Sequence, residues 1–286
     1  MATYFVTGAT GTVGSAVIQA LSDQGENVKA ASRHPEKSRE QFGNHRIGDQ
    51  IEAVHFDYED INTFEEAAGT DGVFLLGPPM YPNLFELVAP FVDYLAAKGP
   101  QRVVYLSAYG MEDLKELPFH AQMEEKLQQS ALDWRVVRPG FFMQNFGNYE
   151  RENIEQRKVI FVPAGEGKTA FVSARDIGTA VAMLLRGDAY AHQTYELTGS
   201  KPYSHFEVAD LLSEIRGETI AYANPDEDTY RKVLADAGTP PMIADYMIPV
   251  YGMIKHGKVA GVTDNVEKLT GKQPESLEAV LRRDFA

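Results

Sequence analysis

A doubly wound parallel α/β sheet with a smaller C-terminal α/β region is the fold class that this 286-residue sequence predicts, on three observations. Short apolar runs alternate with amphipathic segments up to Arg138. A glycine-punctuated turn joins the first run to the first amphipathic segment. The alternation then fails after Arg138-Pro139-Gly140, where Phe141, Phe142, Phe146 and Tyr149 follow in quick succession. Alternation of this kind specifies parallel strands, because each crossover between parallel neighbours needs a helix that covers one face of the sheet.

Taken in order, the apolar runs predict strands at Tyr4 to Thr7, Val28 to Ser32, Glu52 to His55, Gly72 to Leu76, Arg102 to Leu106 and Trp134 to Arg138. Between the first two, Val13, Ala16, Val17, Ala20 and Leu21 recur at helical spacing, and Gly25 ends that helix. Leu84, Leu87, Val88, Phe91, Val92 and Leu95 trace a second helical face, and Phe119, Met123 and Leu127 part of a third. Ser173-Ala174-Arg175-Asp176 reads as a capped helix start that returns to the sheet, with Thr194 to Leu197 as a closing strand. The expected division is therefore a nucleotide-binding domain over 1–140, rejoined by 170–198, and a smaller substrate region over 141–169 and 199–286.

The composition narrows the function classes. A formal charge of −14 opposes nonspecific binding to nucleic acid, whose phosphates would be repelled. The chain has no cysteine, which excludes disulfides, thiolate nucleophiles and cysteine metal sites. The seven histidines show no close pairing, so no metal site is expected. With no signal segment or long apolar run before the first strand, neither a membrane partner nor export is expected, and a cytoplasmic location is the simplest reading.

The chemistry begins at Thr7-Gly8-Ala9-Thr10-Gly11-Thr12-Val13-Gly14. A strand that turns into a helix through three glycines brings backbone close to a ligand and leaves the amides of the helix N-terminus to face it. This is where the pyrophosphate of a dinucleotide sits in a Rossmann-type fold. Many NAD sites carry an acid about twenty residues past the glycines, on the ribose 2′-hydroxyl. Here the second strand ends Ser32-Arg33, nineteen positions after Gly14, with no acid. Arg33 either pairs with a 2′-phosphate, aided by Ser32, or is a solvated strand-end residue; the first reading makes NADP(H) preferred over NAD(H). Two further loops lie at carboxyl ends of strands. Asp57 either meets the adenine or is a turn residue, and Leu76-Gly77-Pro78 should run beside the ribose.

With TGATGTVG, the Arg33 strand end, the LLGPP loop, Leu106-Ser107-Ala108 and the segment Val137 to Phe146 in view, the chain resembles the NmrA-like atypical short-chain dehydrogenases/reductases over nearly its whole length. Ala170 to Ile177 and Leu269 to Pro274 also fit. Within that family the chain looks most like the bacterial relatives of the ergot-alkaloid reductases, with the NADPH-quinone reductases and azoreductase-like members nearby, and the resemblance implies a Rossmann domain with a small C-terminal substrate domain. Conventional members of the wider superfamily carry a YxxxK pair on the helix after strand five. Here His120 and Glu124 stand in the Tyr and Lys places. A glutamate cannot supply the lysine's electrostatic effect, so alcohol oxidation through a tyrosinate is not expected from this helix. Ser107 matches the family's serine, with Tyr109 two residues on; either can hydrogen-bond substrate or the nicotinamide amide.

His120 is the candidate proton donor, on the ordinary imidazole pKa near neutrality; the alternative is a helix residue bonded to a neighbouring loop. Together, His120, Ser107 and Tyr109 form the catalytic set. Gly8, Thr10, Gly11, Thr12, Val13, Gly14, Ser32, Arg33, Asp57, Leu76, Gly77, Pro78, Ser107 and Pro139 form the cofactor set. Tyr81, Phe141, Phe142, Asn145 and Phe146 are read either as an aromatic wall for a planar, conjugated substrate or as core between the two regions. The apolar stretch from Tyr246 to Ile254 either caps the pocket or forms a dimer surface. Two functions stand: an NADPH-dependent reductase of a quinone, imine or other conjugated acceptor, and a non-catalytic NADP-binding sensor that acts through a protein partner.

Overall fold

The computed structural model describes residues 1–43, 50–81, 83–98, 101–111, 114–115 and 117–286. The first six strands are β1 (Thr3–Thr7), β2 (Asn27–Ser32), β3 (Ile51–His55), β4 (Gly72–Leu75), β5 (Arg102–Leu106) and β6 (Asp133–Pro139). The short β7 (Val159–Ile160) and β8 (Lys168–Thr169) precede β9 (Gln193–Leu197), and β10 (Tyr203–Ser204) and β11 (Ala221–Tyr222) follow it. Seven of these form one parallel sheet in the order β3-β2-β1-β4-β5-β6-β9. The chain winds outward from β1 in one direction and then from β4 in the other. A crevice therefore opens at the carboxyl ends of β1 and β4, where ligands bind in open α/β sheets.

Helices cover both faces, as the apolar stripes require. The helices α1 (Thr12–Asp23), α2 (Pro35–Phe42), α3 (Leu84–Ala97) and α4 (Phe119–Gln129) belong to the first crossovers. The short α5 (Asn145–Asn148) is followed by α6 (Ala174–Arg186), which starts where the sequence places it, with the Ser173 hydroxyl accepting from the Asp176 amide at 3.0 Å. On one face, Val13, Val17 and Leu21 of α1 meet Ile177, Val181 and Leu184 of α6. These two helices approach closely because Gly178 carries no side chain: a Cβ there would lie 2.5 Å from the Ala16 carbonyl carbon. On the other face, Val88, Phe91 and Leu95 of α3 and Met123 and Leu127 of α4 pack over Phe5, Val73 and Tyr105.

The C-terminal part builds a separate apolar cluster from α7 (His205–Arg216), α8 (Glu227–Asp236), α9 (Pro241–Lys255), α10 (Asn265–Thr270) and α11 (Leu277–Phe285), with one exception. Val266 and Leu269 of α10 lie in the sheet-face cluster with α6, so this helix packs with the seven-stranded sheet although it follows residue 199. The α9 helix lies over the mouth of the crevice. Among the described residues no helix is long and apolar enough to cross a membrane.

Candidate active site

At the β1–α1 turn, backbone geometry explains each glycine differently. Gly8 adopts φ +63, which favours glycine, and its amide oxygen accepts from Gly11 N at 2.9 Å. A Cβ on Gly14 would fall 2.1 Å from that same Gly8 oxygen, so Gly14 is required for the helix to close onto the turn. Gly11 is the N-cap of α1, and no side chain caps the helix. The first-turn amides of α1 are thus left facing the crevice, an arrangement that fits an anionic diphosphate. Gly11, Thr12 and Val13 line the cavity there, whereas Thr10 is exposed and is not part of its lining. Asn148 of α5 reaches across, its Nδ2 donating to Thr12 Oγ1 at 2.9 Å.

At the neighbouring strand ends the expectations divide. Arg33 is exposed beyond β2 and makes no ion pair among the described residues, while Ser32 Oγ lies 3.1 Å from Ser38 Oγ. Asp57 is built into a turn: its carboxylate accepts from Glu59 N at 3.0 Å, and its amide and carbonyl both meet Thr63 Oγ1. The Leu76 peptide is also engaged. Its N–H donates to Thr7 Oγ1 at 2.8 Å and its carbonyl accepts from Tyr58 Oη at 2.9 Å. Leu76 therefore shapes the wall, and in Leu76-Gly77-Pro78 only the Gly77 amide remains as a backbone donor, because proline has none. Thr7 opens the glycine motif but was given no role of its own from sequence, and Tyr58 was not singled out.

At the end of β5 the two departures from YxxxK acquire partners. Glu124, buried on α4, accepts from Ser107 Oγ at 2.6 Å and takes a bidentate pair from Arg138, with Nε–Oε1 at 2.9 Å and Nη2–Oε2 at 2.7 Å. Ser107 thus spends its hydrogen on Glu124 and offers the cavity only its acceptor lone pairs. A hydrogen bond from Ser107 to substrate or the nicotinamide amide, as the sequence suggests, is therefore one in which Ser107 accepts. Arg138 entered the sequence reading as a strand end and as part of the Val137 to Phe146 segment, with no role of its own; nothing in its spacing announced that it would neutralise a carboxylate fourteen residues earlier.

His120 departs from the sequence reading in its charge. Burial first, and then the neighbouring Arg138 guanidinium, push its pKa down to about 3, so the ring is neutral at pH 7 and no imidazolium stands ready to give up a proton. Its Nδ1 lies 2.7 Å from the hydroxyl of Tyr105, a buried β5 residue not singled out from sequence. Tyr109 lines the same end of the cavity; its amide donates to the Pro139 carbonyl at 3.0 Å, and its hydroxyl occupies the space that a side chain on Gly261 would need.

One cavity of about 420 Å³ runs from Gly11 and Thr12, past Leu76 to Pro78 and Pro139, to Ser107, Tyr109 and His120. Its far wall is aromatic. Phe141 stacks on Tyr251 with ring centroids 6.1 Å apart, Tyr246 stacks on Phe119 at 6.2 Å, and Phe142, Asn145, Tyr149 and Tyr81 complete the lining. Tyr81 sits at the rim, its hydroxyl 3.4 Å from Glu59. Of the alternatives for α9, the segment around Tyr246 and Tyr251 does cap the cavity. Phe146 is a correction: it turns away from the cavity and packs on Phe171 and His205 in the C-terminal core, 3% exposed. On the short helix α5 it lies one residue beyond Asn145, which places the two side chains on different faces.

Comparison with known proteins agrees with this architecture. A family model described as NAD(P)H-binding matches residues 8–187. Prestalk A differentiation protein A of Dictyostelium discoideum is 29% identical over 285 residues, spanning 98% of this chain and 92% of that protein. The NAD(P)H azoreductase of Xenophilus azovorans is 29% identical over 271 residues, spanning 93% and 92%. The crystal structure of an NADPH-dependent quinone oxidoreductase of Escherichia coli, complexed with NADPH, shares the fold over 100% of both chains with a TM-score of 0.87 at 22% identity. With its glycine turn, its seven-stranded parallel sheet and a family match over most of the nucleotide-binding half, the chain belongs to the NAD(P)H-binding, NmrA-like atypical short-chain dehydrogenases/reductases, a family of oxidoreductases on a Rossmann fold.

Proposed function

We propose that this protein is an NADPH-dependent reductase of a small planar, conjugated acceptor such as a quinone or an imine. The observation that supports it is one continuous cavity, which joins the uncapped N-terminus of α1 at one end to an aromatic wall at the other. When bound, a reduced nicotinamide supplies the hydride, and an acceptor that is already electrophilic asks little more of the protein than orientation. The α1 amides with Gly11 and Thr12 hold the diphosphate. Arg33, with Ser32 beside it, takes the 2′-phosphate and thereby selects NADP(H) over NAD(H). Ser107, its hydrogen committed to Glu124, accepts from the carboxamide, and Phe141, Phe142, Tyr246 and Tyr251 hold a flat acceptor by stacking. The division into a nucleotide-binding unit over 1–140 with 170–198 and a substrate region over 141–169 and 199–286 is part of the same reading, with α10 reassigned to the former.

Its test is NADPH consumption across a panel of quinones, imines and azo dyes, with turnover expected for at least one class. The rival, a cofactor-binding sensor, draws on a different observation: Ser107 has no hydrogen to give, and His120 is not an acid at neutral pH. Silence across the whole panel, with tight NADP⁺ binding and a copurifying protein partner, would decide for the sensor.

A further inference from the structure

Tyr105 is the fourth residue of β5, 1% exposed, in the same apolar cluster as Phe119 and Met123 of α4. Its hydroxyl meets His120 Nδ1 at 2.7 Å and has no other partner among the described residues. The direction of this bond follows from satisfaction. Were Nδ1–H the donor, the tyrosine O–H would be buried without an acceptor, at a cost of about 1–3 kcal/mol. With the tyrosine donating, both groups are paired and the proton of the neutral ring must sit on Nε2. Among the described residues that nitrogen makes no bond. Unlike Nδ1 of His205, it is not sealed away, and His120 lines the cavity between Phe119 and the Ser107 loop.

We propose that Tyr105 locks His120 as a neutral Nε2–H donor aimed into the substrate end of the cavity, so that the site favours acceptors with a lone pair on the atom that gains electron density. A quinone carbonyl oxygen qualifies, because the hydroquinonate that hydride addition leaves is stable enough to take its proton from solvent afterwards; a neutral imine, whose nitrogen would be left an amide anion, and an iminium ion, which has no lone pair on nitrogen, do not. His120 lends a hydrogen bond and keeps its proton, which matches a ring held neutral by burial. Tyr105 is a positioning residue that acts through His120. The proposal rests on the reductase reading above and narrows its substrate class.

Two measurements test it. Two-bond ¹H–¹⁵N spectra of the intact, ¹⁵N-histidine-labelled protein at neutral pH should show His120 as the Nε2–H tautomer, with Tyr105→Phe moving it toward a mixture. An Nδ1–H tautomer or an imidazolium in the wild type overturns the proposal, and needs no variant to fold. Next, the ratio of kcat for a neutral benzoquinone to kcat for a cyclic iminium salt, both with NADPH, should fall roughly tenfold in Tyr105→Phe. An unchanged ratio overturns the acceptor preference. A wild type that reduces neither compound overturns the acceptor preference, the wider panel above decides whether the reductase reading falls with it, and the spectrum separately decides the state of His120.

Discussion

The two ends of the cavity are built in opposite ways. The nucleotide end is one continuous stretch of backbone, Gly8 to Gly14, whose amides and close contacts do the work. The acceptor end is assembled from side chains of β5, α4, β6, the α5 loop and α9, which meet only after folding. A backbone site fails when a side chain is added to it, whereas an assembled site fails when one partner of a pair is taken away. The contrast can be tested at both ends.

The largest loss is expected at the assembled end. Arg138→Met leaves the buried Glu124 carboxylate without its bidentate partner and should cost about 3–5 kcal/mol. Adding Glu124→Gln in the same chain should recover a substantial part of that. Denaturant titration of the two single variants and the double measures the coupling; simple additivity would show that the pair is not a unit.

At the backbone end, Gly14→Ala forces a Cβ to within 2.1 Å of the Gly8 oxygen, and the turn must open. A loss of about 3 kcal/mol is expected, with NADPH binding by calorimetry weakened at least as much as the melting temperature implies. Normal binding in this variant would mean that the turn tolerates rearrangement.

The pH dependence of stability separates the two buried imidazoles from Glu150. The pKa of His205, caged by Phe146, Phe171 and Tyr222, is pushed down by burial to about 4, and that of His120 to about 3. The unfolded chain binds these protons from pH 6.5 downward and the native state does not. Stability is therefore complete above pH 6.5 and falls as pH drops toward 4, by up to roughly 3 kcal/mol per group. Glu150 runs the other way. Burial raises its pKa to about 7 although Phe161 N and Asn153 donate to it, so its contribution is complete below pH 4.5 and is lost as pH rises through 7. Glu150→Gln should raise the melting temperature at pH 8 and leave it nearly unchanged at pH 4.5; a fall at both values refutes the assignment.

A smaller effect is expected at Arg33. An exposed cation that reaches a 2′-phosphate is worth about 1.5–3 kcal/mol, so Arg33→Ala should cost NADPH roughly tenfold to a hundredfold in affinity and leave NADH unchanged. Equal losses for the two cofactors would remove it from this role. Smallest is Asn148→Ala, which breaks an exposed bond to Thr12 and should shift NADPH affinity by about threefold or less.

How far the sequence could be read follows the same contrast. All seven strands of the sheet were legible to within one or two residues: β1, β4 and β5, buried on both faces, write continuous apolar runs, while the partly exposed edge strands β3 and β9 were legible from their place in the alternation. The Ser173 cap and the α3 stripe were legible for equally local reasons. Phe146 was misplaced because it shares with Phe141 and Phe142 the residue type that lines the cavity, and only the turn into α5 directs it to the core. His120 was given an ordinary pKa because neither its burial nor the nearness of Arg138 is a property of the helix that carries it.

By itself, then, the sequence determined the sheet, its covering helices and the nucleotide end, since each depends on residues a few positions apart: glycines that must lack a Cβ, and apolar residues at a period of two or 3.6. The tertiary structure alone decided the hydrogen-bond polarity of the acceptor end. Whether Ser107 donates or accepts, and whether His120 is charged, depends on Glu124, Arg138 and Tyr105, brought within 3 Å by strands and helices that the chain order does not make neighbours.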